Sequence, residues 1–124
     1  MLAANRAFYD AFEAGDLDAM SALWEHSDGV VCTHPGWSTL RGWAAVSASW
    51  FALFQGGPGL QFVLTAEQVD VRGDVAVLTI DENLIGEGLG ATVAALNLFA
   101  RQPDGAWRVV AHHGSTVVNR PGRP

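Results

Sequence analysis

The sequence predicts an α+β domain in which a curved, mostly antiparallel sheet wraps around three N-terminal helices. Two observations carry that expectation. Apolar residues recur at helical spacing through much of the first half of the chain. After the run Gln55-Gly56-Gly57-Pro58-Gly59, the pattern becomes that of long strands joined by short turns.

The first helix is expected over about Leu2 to Ala14, because Ala4, Phe8, Ala11 and Phe12 share a face while Asn5, Arg6, Asp10 and Glu13 mostly lie outside it. Gly15 stops it, and Asp16 is a natural N-cap for a second helix from Leu17 to about His26. Ser27-Asp28-Gly29 then turns the chain into a short buried strand, Val30 to Thr33, broken by His34-Pro35-Gly36. A third helix is expected to begin near Arg41, with Trp43, Val46, Trp50 and Phe54 on one stripe. Four strands follow: Leu60 to Val71, Val75 to Ile85, Ala91 to Arg101, and Trp107 to Val118. The turns Arg72-Gly73-Asp74 and Pro103-Asp104-Gly105 are tight, so neighbours run antiparallel. One domain over residues 1–118 is expected, with 119–124 as a frayed tail.

Composition bounds the function. A chain of 124 residues holds one core, and 49% hydrophobic residues with a mean hydropathy of +0.16 exclude a disordered chain. The net charge of −6, with only seven Lys and Arg, argues against nucleic acid. No segment approaches membrane-spanning length, and a single cysteine, Cys32, suits a reducing compartment. A cytoplasmic protein without a membrane partner is the expectation.

The strand-turn-helix corner concentrates candidates. His34, Trp37, Trp43 and Trp50 lie around it, which makes a suitable pocket wall. A histidine titrates near about 6.5 and can take a proton at neutral pH. A turn histidine bonded to a backbone carbonyl is the plainer alternative. Asn97, between Leu96 and Leu98, needs partners if buried. His112 and His113 cannot act together, since adjacent strand residues point to opposite faces; the same holds for Asp81 and Glu82. Glu82 shares its face with Ala76, Leu78, Ile80 and Leu84, whereas Asp81 shares the milder face of Thr79 and Asn83. Cys32 and His34 share a strand face, yet no recognised zinc spacing is present, so no metal is expected.

The segments FYDAFEAGDLDAMSALW, Pro35-x5-Arg41-Gly42-x2-Ala45-Val46 and DGAWRVVAHHGS, in that order, resemble the nuclear transport factor 2-like superfamily, also called SnoaL-like, over nearly the whole chain. That superfamily includes ketosteroid isomerase, the polyketide cyclases and kinase association domains. The resemblance implies a cone-shaped half-barrel whose mouth holds a small molecule. Set against the isomerase, its general-base position falls on His34. One oxyanion donor falls on Phe8, which cannot donate, with Tyr9 next to it. The other donor falls on Asn97, whose amide still can. Ketosteroid isomerisation itself is therefore not expected.

The resemblance also favours His112, and the polar row of Asp81 and Asn83, as facing the pocket. The expected catalytic set is His34 as base, Asn97 as oxyanion holder, and Asp81 or His112 orienting the base or relaying its proton. Tyr9, Trp24, Trp37, Trp50, Asn83, Phe99 and His112 form the expected substrate wall. The expected activity is isomerisation, cyclisation or dehydration of a small apolar carbonyl compound without metal or cofactor. The alternative is a non-catalytic ligand-binding or assembly domain that forms a homodimer through the outer sheet face.

Overall fold

The computed structural model describes residues 1–56, 60–85 and 91–118. Three helices, α1 (Leu2–Ala14), α2 (Leu17–Leu23) and α3 (Trp43–Phe54), pack on one six-stranded sheet. Its strands are β1 (Val31–Thr33), β2 (Leu40–Arg41), β3 (Gln61–Arg72), β4 (Val75–Ile85), β5 (Thr92–Arg101) and β6 (Trp107–Thr116). The order across the sheet is β2-β1-β6-β5-β4-β3, with β1 parallel to β6 and every other pair antiparallel. The sheet is curved and unclosed, so the expected α+β cone is the fold observed. Among the described residues no helix is long and apolar enough to cross a membrane. The expected tail, the Gly57–Gly59 part of the first glycine run and the Gly86–Gly90 break lie outside the described residues.

Local sequence explains most boundaries. Gly15 ends α1 in the left-handed region at φ +64, and Asp16 caps α2 by accepting from the Ala19 amide at 3.0 Å. Such a cap contributes about 1 kcal/mol. α2 stops at Leu23, short of the expected His26, because Trp24 leaves the helix to form a parallel bridge with Val109 of β6. β2 was not expected from the sequence. Leu40 and Arg41 pair with Cys32 and Val31, which delays α3 to Trp43. A two-residue strand has no periodicity of its own, and only the tertiary partner makes it one.

The core lies between the helices and the concave face of the sheet. Phe8, Met20, Trp24, Trp50, Leu78, Phe99 and Val109 are wholly buried there. Phe12 stands edge-on to both Trp50 and Phe62, with centroids at 5.0 and 4.9 Å, tying α1 to α3 and β3. The Glu13 carboxylate also accepts from the Phe62 amide at 2.8 Å, so α1 anchors the start of the edge strand β3.

Two bulges decide which side chains face inward. In β3, Ala66 and Glu67 together oppose a single residue of β4, and Ala66 sits at φ +58. In β6, the register with β5 slips at Val110, so that Leu98 pairs with Ala111 but Phe99 with Val109. Strict alternation would put Val109 on the face of His113. The extra residue instead buries both Val109 and His112 and leaves His113 exposed.

Candidate functional site

The corner after β1, the ends of β3 and β4 and the end of β6 enclose a cavity of about 260 Å³. Phe12, Trp37, Leu53, Leu60, Phe62, Leu84, Ala91 and Val93 supply an apolar wall. Among the described residues, the polar side chains of its lining are His34, Glu82, His112 and Thr116.

Two of those polar groups, Glu82 and His112, are set by a continuous hydrogen-bond network that begins at the surface. The Asn5 amide donates to Glu67 Oε2 at 2.9 Å, and Asn5 Oδ1 accepts from the Asn97 amide at 3.1 Å. Asn97 Nδ2 also reaches the Tyr9 hydroxyl at 3.2 Å, and that hydroxyl donates to Glu82 Oε2 at 2.6 Å. Asn97 Oδ1 stands 2.6 Å from His112 Nδ1. An amide oxygen only accepts, so His112 carries its proton on Nδ1 and keeps the Nε2 lone pair.

His34 is oriented by Ser49. Its Nε2 lies 2.9 Å from Ser49 Oγ, and the Ser49 hydroxyl proton is already given to the Val46 carbonyl at 2.6 Å. His34 therefore donates from Nε2 and keeps Nδ1 unprotonated. Trp50 braces its ring edge-on at 4.8 Å and Trp37 at 4.9 Å. The two imidazoles are 6.4 Å apart.

Burial controls the charges. It lowers His34 to about 4 and His112 to about 3, the latter helped by its histidine neighbours, so both are neutral at pH 7. Desolvation raises the Glu82 carboxyl to about 7 against the partial relief of the Tyr9 bond. Tyr9 is held well above the usual phenol range by burial and by the Glu82 charge beside it. The Cys32 thiol is pushed up to about 12 by burial, which makes it inert, and its sulfur lies 3.6 Å from His34 Nε2. Among the described residues no group of three or more His, Cys, Asp or Glu converges on a metal position.

Several sequence expectations meet a different placement. Asp81 does not face the cavity. It lines an open depression on the opposite face of the sheet with Thr79, Leu96, His113 and Ser115, and Glu82 is the acid that points inward. The reason is register: Ala76, Leu78, Ile80 and Glu82 form the row that meets the helices. Asn97 is wholly buried, but its amide serves Tyr9 and Asn5 rather than the cavity, so it is placed to position other groups and not to hold an oxyanion. Trp24 and Phe99 are core residues away from the lining, and Trp50 supports the lining from beneath. Trp24 and Trp50 bury their indole N–H groups without a described partner. Asn83 bonds the Val63 carbonyl and Thr65 and accepts from Thr92, outside the cavity. Tyr9 acts on the cavity through Glu82. His34, Trp37 and His112 lie where expected.

Glu82 is the residue that sequence reasoning left open. Its signal was present, a single carboxylate within an apolar row, and what it lacked was the identity of the buried face.

The family model for the SnoaL-like domain matches residues 1–119. In sequence, the chain is 27% identical over 118 residues to the F-box protein SKIP8 of Arabidopsis thaliana; it spans 95% of itself but about half, 50%, of that relative's length. Among solved structures, a protein proposed to be a dehydratase of the NTF2-like family from Streptomyces avermitilis superposes with a TM-score of 0.84 at 36% identity, covering 94% of this chain and 93% of that one. A proposed calcium/calmodulin-dependent protein kinase type II association domain from Thiobacillus denitrificans gives the same score and identity, with 94% of each chain covered. A proposed ketosteroid isomerase from Parabacteroides distasonis, 19% identical, with a TM-score of 0.78 over 94% of this chain and 85% of that one, shares the fold. With the domain model spanning the helices, the sheet and every residue of the cavity, the chain belongs to the SnoaL-like domain family of NTF2-like proteins.

Proposed function

We propose that the protein binds a small, largely apolar molecule in this cavity and performs cofactor-independent acid–base chemistry on it, of the isomerase or dehydratase kind. One observation carries the reading: Glu82, a buried carboxyl titrating near neutrality, faces the cavity together with two neutral histidines of defined tautomer. A group with its pKa near the working pH both takes and gives a proton efficiently. Glu82 would move the proton, His34 and His112 would accept from or orient the substrate, and Tyr9 would steady the Glu82 charge. The relative proposed to be a dehydratase supports this class of reaction.

The test is proton NMR in heavy water with a panel of small hydroxy ketones, following carbon-bound proton exchange and loss of water. Catalysed exchange should follow a pH profile with an inflection near 7 and fall at least about a hundredfold in Glu82→Gln. Undiminished exchange in that variant would end the proposal.

The exposed Val63, Val75 and Leu96, on the face opposite the cavity, favour a second reading in which this face joins two copies of the chain. Leu96→Glu should then lower the sedimentation mass from dimer to monomer. We place the protein in the cytoplasm, since a free buried thiol at Cys32 suits a reducing compartment.

A further inference from the structure

We propose that the cavity is selective for a small organic ammonium ion, a protonated primary or secondary amine on an apolar body about the size of one ring. The polar atoms left free to meet a ligand set this preference. Glu82 is 3% exposed; its Oε2 accepts from Tyr9, and no described group bonds its other oxygen. His112 gives its one N–H to Asn97, which leaves Nε2 as an acceptor. His34 gives its N–H to Ser49, which leaves Nδ1, whose one described hydrogen-bond contact is the Cys32 sulfur at 4.0 Å. The inner polar atoms of the cavity are thus all hydrogen-bond acceptors while Glu82 is ionised. The donors in the described lining, the Thr116 hydroxyl and the Trp37 indole N–H, belong to exposed residues.

Among the described residues no positive charge balances Glu82; Arg120 and Arg123 lie outside them. All seven basic residues of the sequence are arginines, and none of the five described ones lines the cavity. Arg72 and Arg101 pair with Asp70 and Asp74, and Arg108 bonds the Ala22 carbonyl. The stretches Gly57–Gly59 and Gly86–Gly90 contain no basic residue. Carboxylates and phosphates would therefore meet acceptors and a like charge. An ammonium ion would meet a carboxylate, two imidazole lone pairs and the rings of Phe12, Trp37 and Phe62, whose faces attract cations.

The groups facing Glu82 are Tyr9 from α1, His34 from the corner and His112 from β6, while its cross-strand neighbours Leu64 and Val93 are apolar. Of these, Glu82 is the group whose charge changes between pH 6 and 8. This inference goes beyond the acid–base reading and does not need turnover: amine binding without catalysis would leave it standing while that reading fell. Catalysis on a neutral hydroxy ketone without amine preference would do the reverse.

The test is isothermal titration with three probes on one skeleton, benzylamine, benzyl alcohol and benzoate. Benzylamine should bind at least about tenfold more tightly than benzyl alcohol at pH 8, and benzoate should not bind detectably. Benzylamine remains protonated across the range, so its affinity should rise about tenfold from pH 6 to pH 8 as Glu82 ionises. Glu82→Gln should remove both the amine preference and the pH dependence; should that variant fail to fold, the wild-type pH series decides. Benzoate binding as tightly as the amine, no preference of amine over alcohol at pH 8, or no binding of benzylamine at all would each overturn the inference.

Discussion

The Tyr9 hydroxyl donates to Glu82 Oε2 across 2.6 Å, joining the first helix to the fourth strand at the back of the cavity. That bond fixes one carboxyl oxygen of a side chain that lines the cavity. It also passes order outward: the same hydroxyl receives from Asn97, which receives from His112 and gives to Asn5, and Asn5 gives to Glu67. A network in which each N–H and O–H has its own acceptor specifies the tautomer of His112.

Glu82 should make stability depend on pH. Its folded pKa, about 7, lies above the ordinary 4.5, so the folded state holds a proton that the unfolded state has lost between those values, and stability falls as pH rises through that window. The full cost above pH 7 is on the order of 3 kcal/mol. Glu82→Gln keeps an acceptor for Tyr9 without the charge. Its melting temperature should gain on the wild type progressively from pH 5 to pH 8, and a constant difference would contradict the assignment.

The two histidines act in the opposite direction. Their folded values, about 4 for His34 and about 3 for His112, lie below the ordinary 6.5, so the unfolded state takes up protons first. Stability should drop as pH falls from 6.5 toward 4, and His112→Gln should flatten that limb. Acid melts of both proteins check this.

Asn97 serves both ends of the network, and Asn97→Leu should cost about 1–3 kcal/mol for each partner left unpaired. Asn97→Asp is the sharper variant. A carboxylate 2.6 Å from His112 Nδ1 would favour the imidazolium, so the His112 ring should titrate well above its present value by nitrogen NMR. An unmoved titration would argue against the contact.

Gly114 is packed where a methyl group barely fits. A Cβ there would stand 3.0 Å from Val93 Cγ1 and 3.3 Å from Pro35 Cγ, and both residues line the cavity. Gly114→Ala should therefore lower stability by about 1 kcal/mol and weaken ligand binding together. Thermal melting and titration of one variant report both effects.

Ala66 adopts φ +58 at the β3 bulge, a conformation that costs a residue with a Cβ about 1 kcal/mol. Ala66→Gly should raise the denaturation midpoint, because the strain is relieved while the Asn5–Glu67 bond at the bulge is kept. A lower midpoint would mean that unfolded-state entropy outweighs the strain.

The order of elements was determined by the sequence alone. Helical periodicity before Gln55, period-two alternation after Leu60 and the glycine turns at Gly73 and Gly105 locate nearly every element, and β4 occupies the predicted Val75–Ile85. Those signals are local, and each is written in consecutive residues. His34 was legible for the same reason, standing beside its proline at a corner between a strand and a helix. Which acid faces the cavity was decided only by the tertiary structure. Alternation separates Asp81 from Glu82 but does not say which row meets the helices, and the bulge at Val110 shifts the rows of β6 with no mark in the sequence. The partners that set the site lie far apart in the chain, Tyr9 with Glu82 and Asn97 with Asn5. Their meeting is a property of the packed sheet and helices, because hydrogen-bond geometry arises from contact in space and not from spacing along the chain.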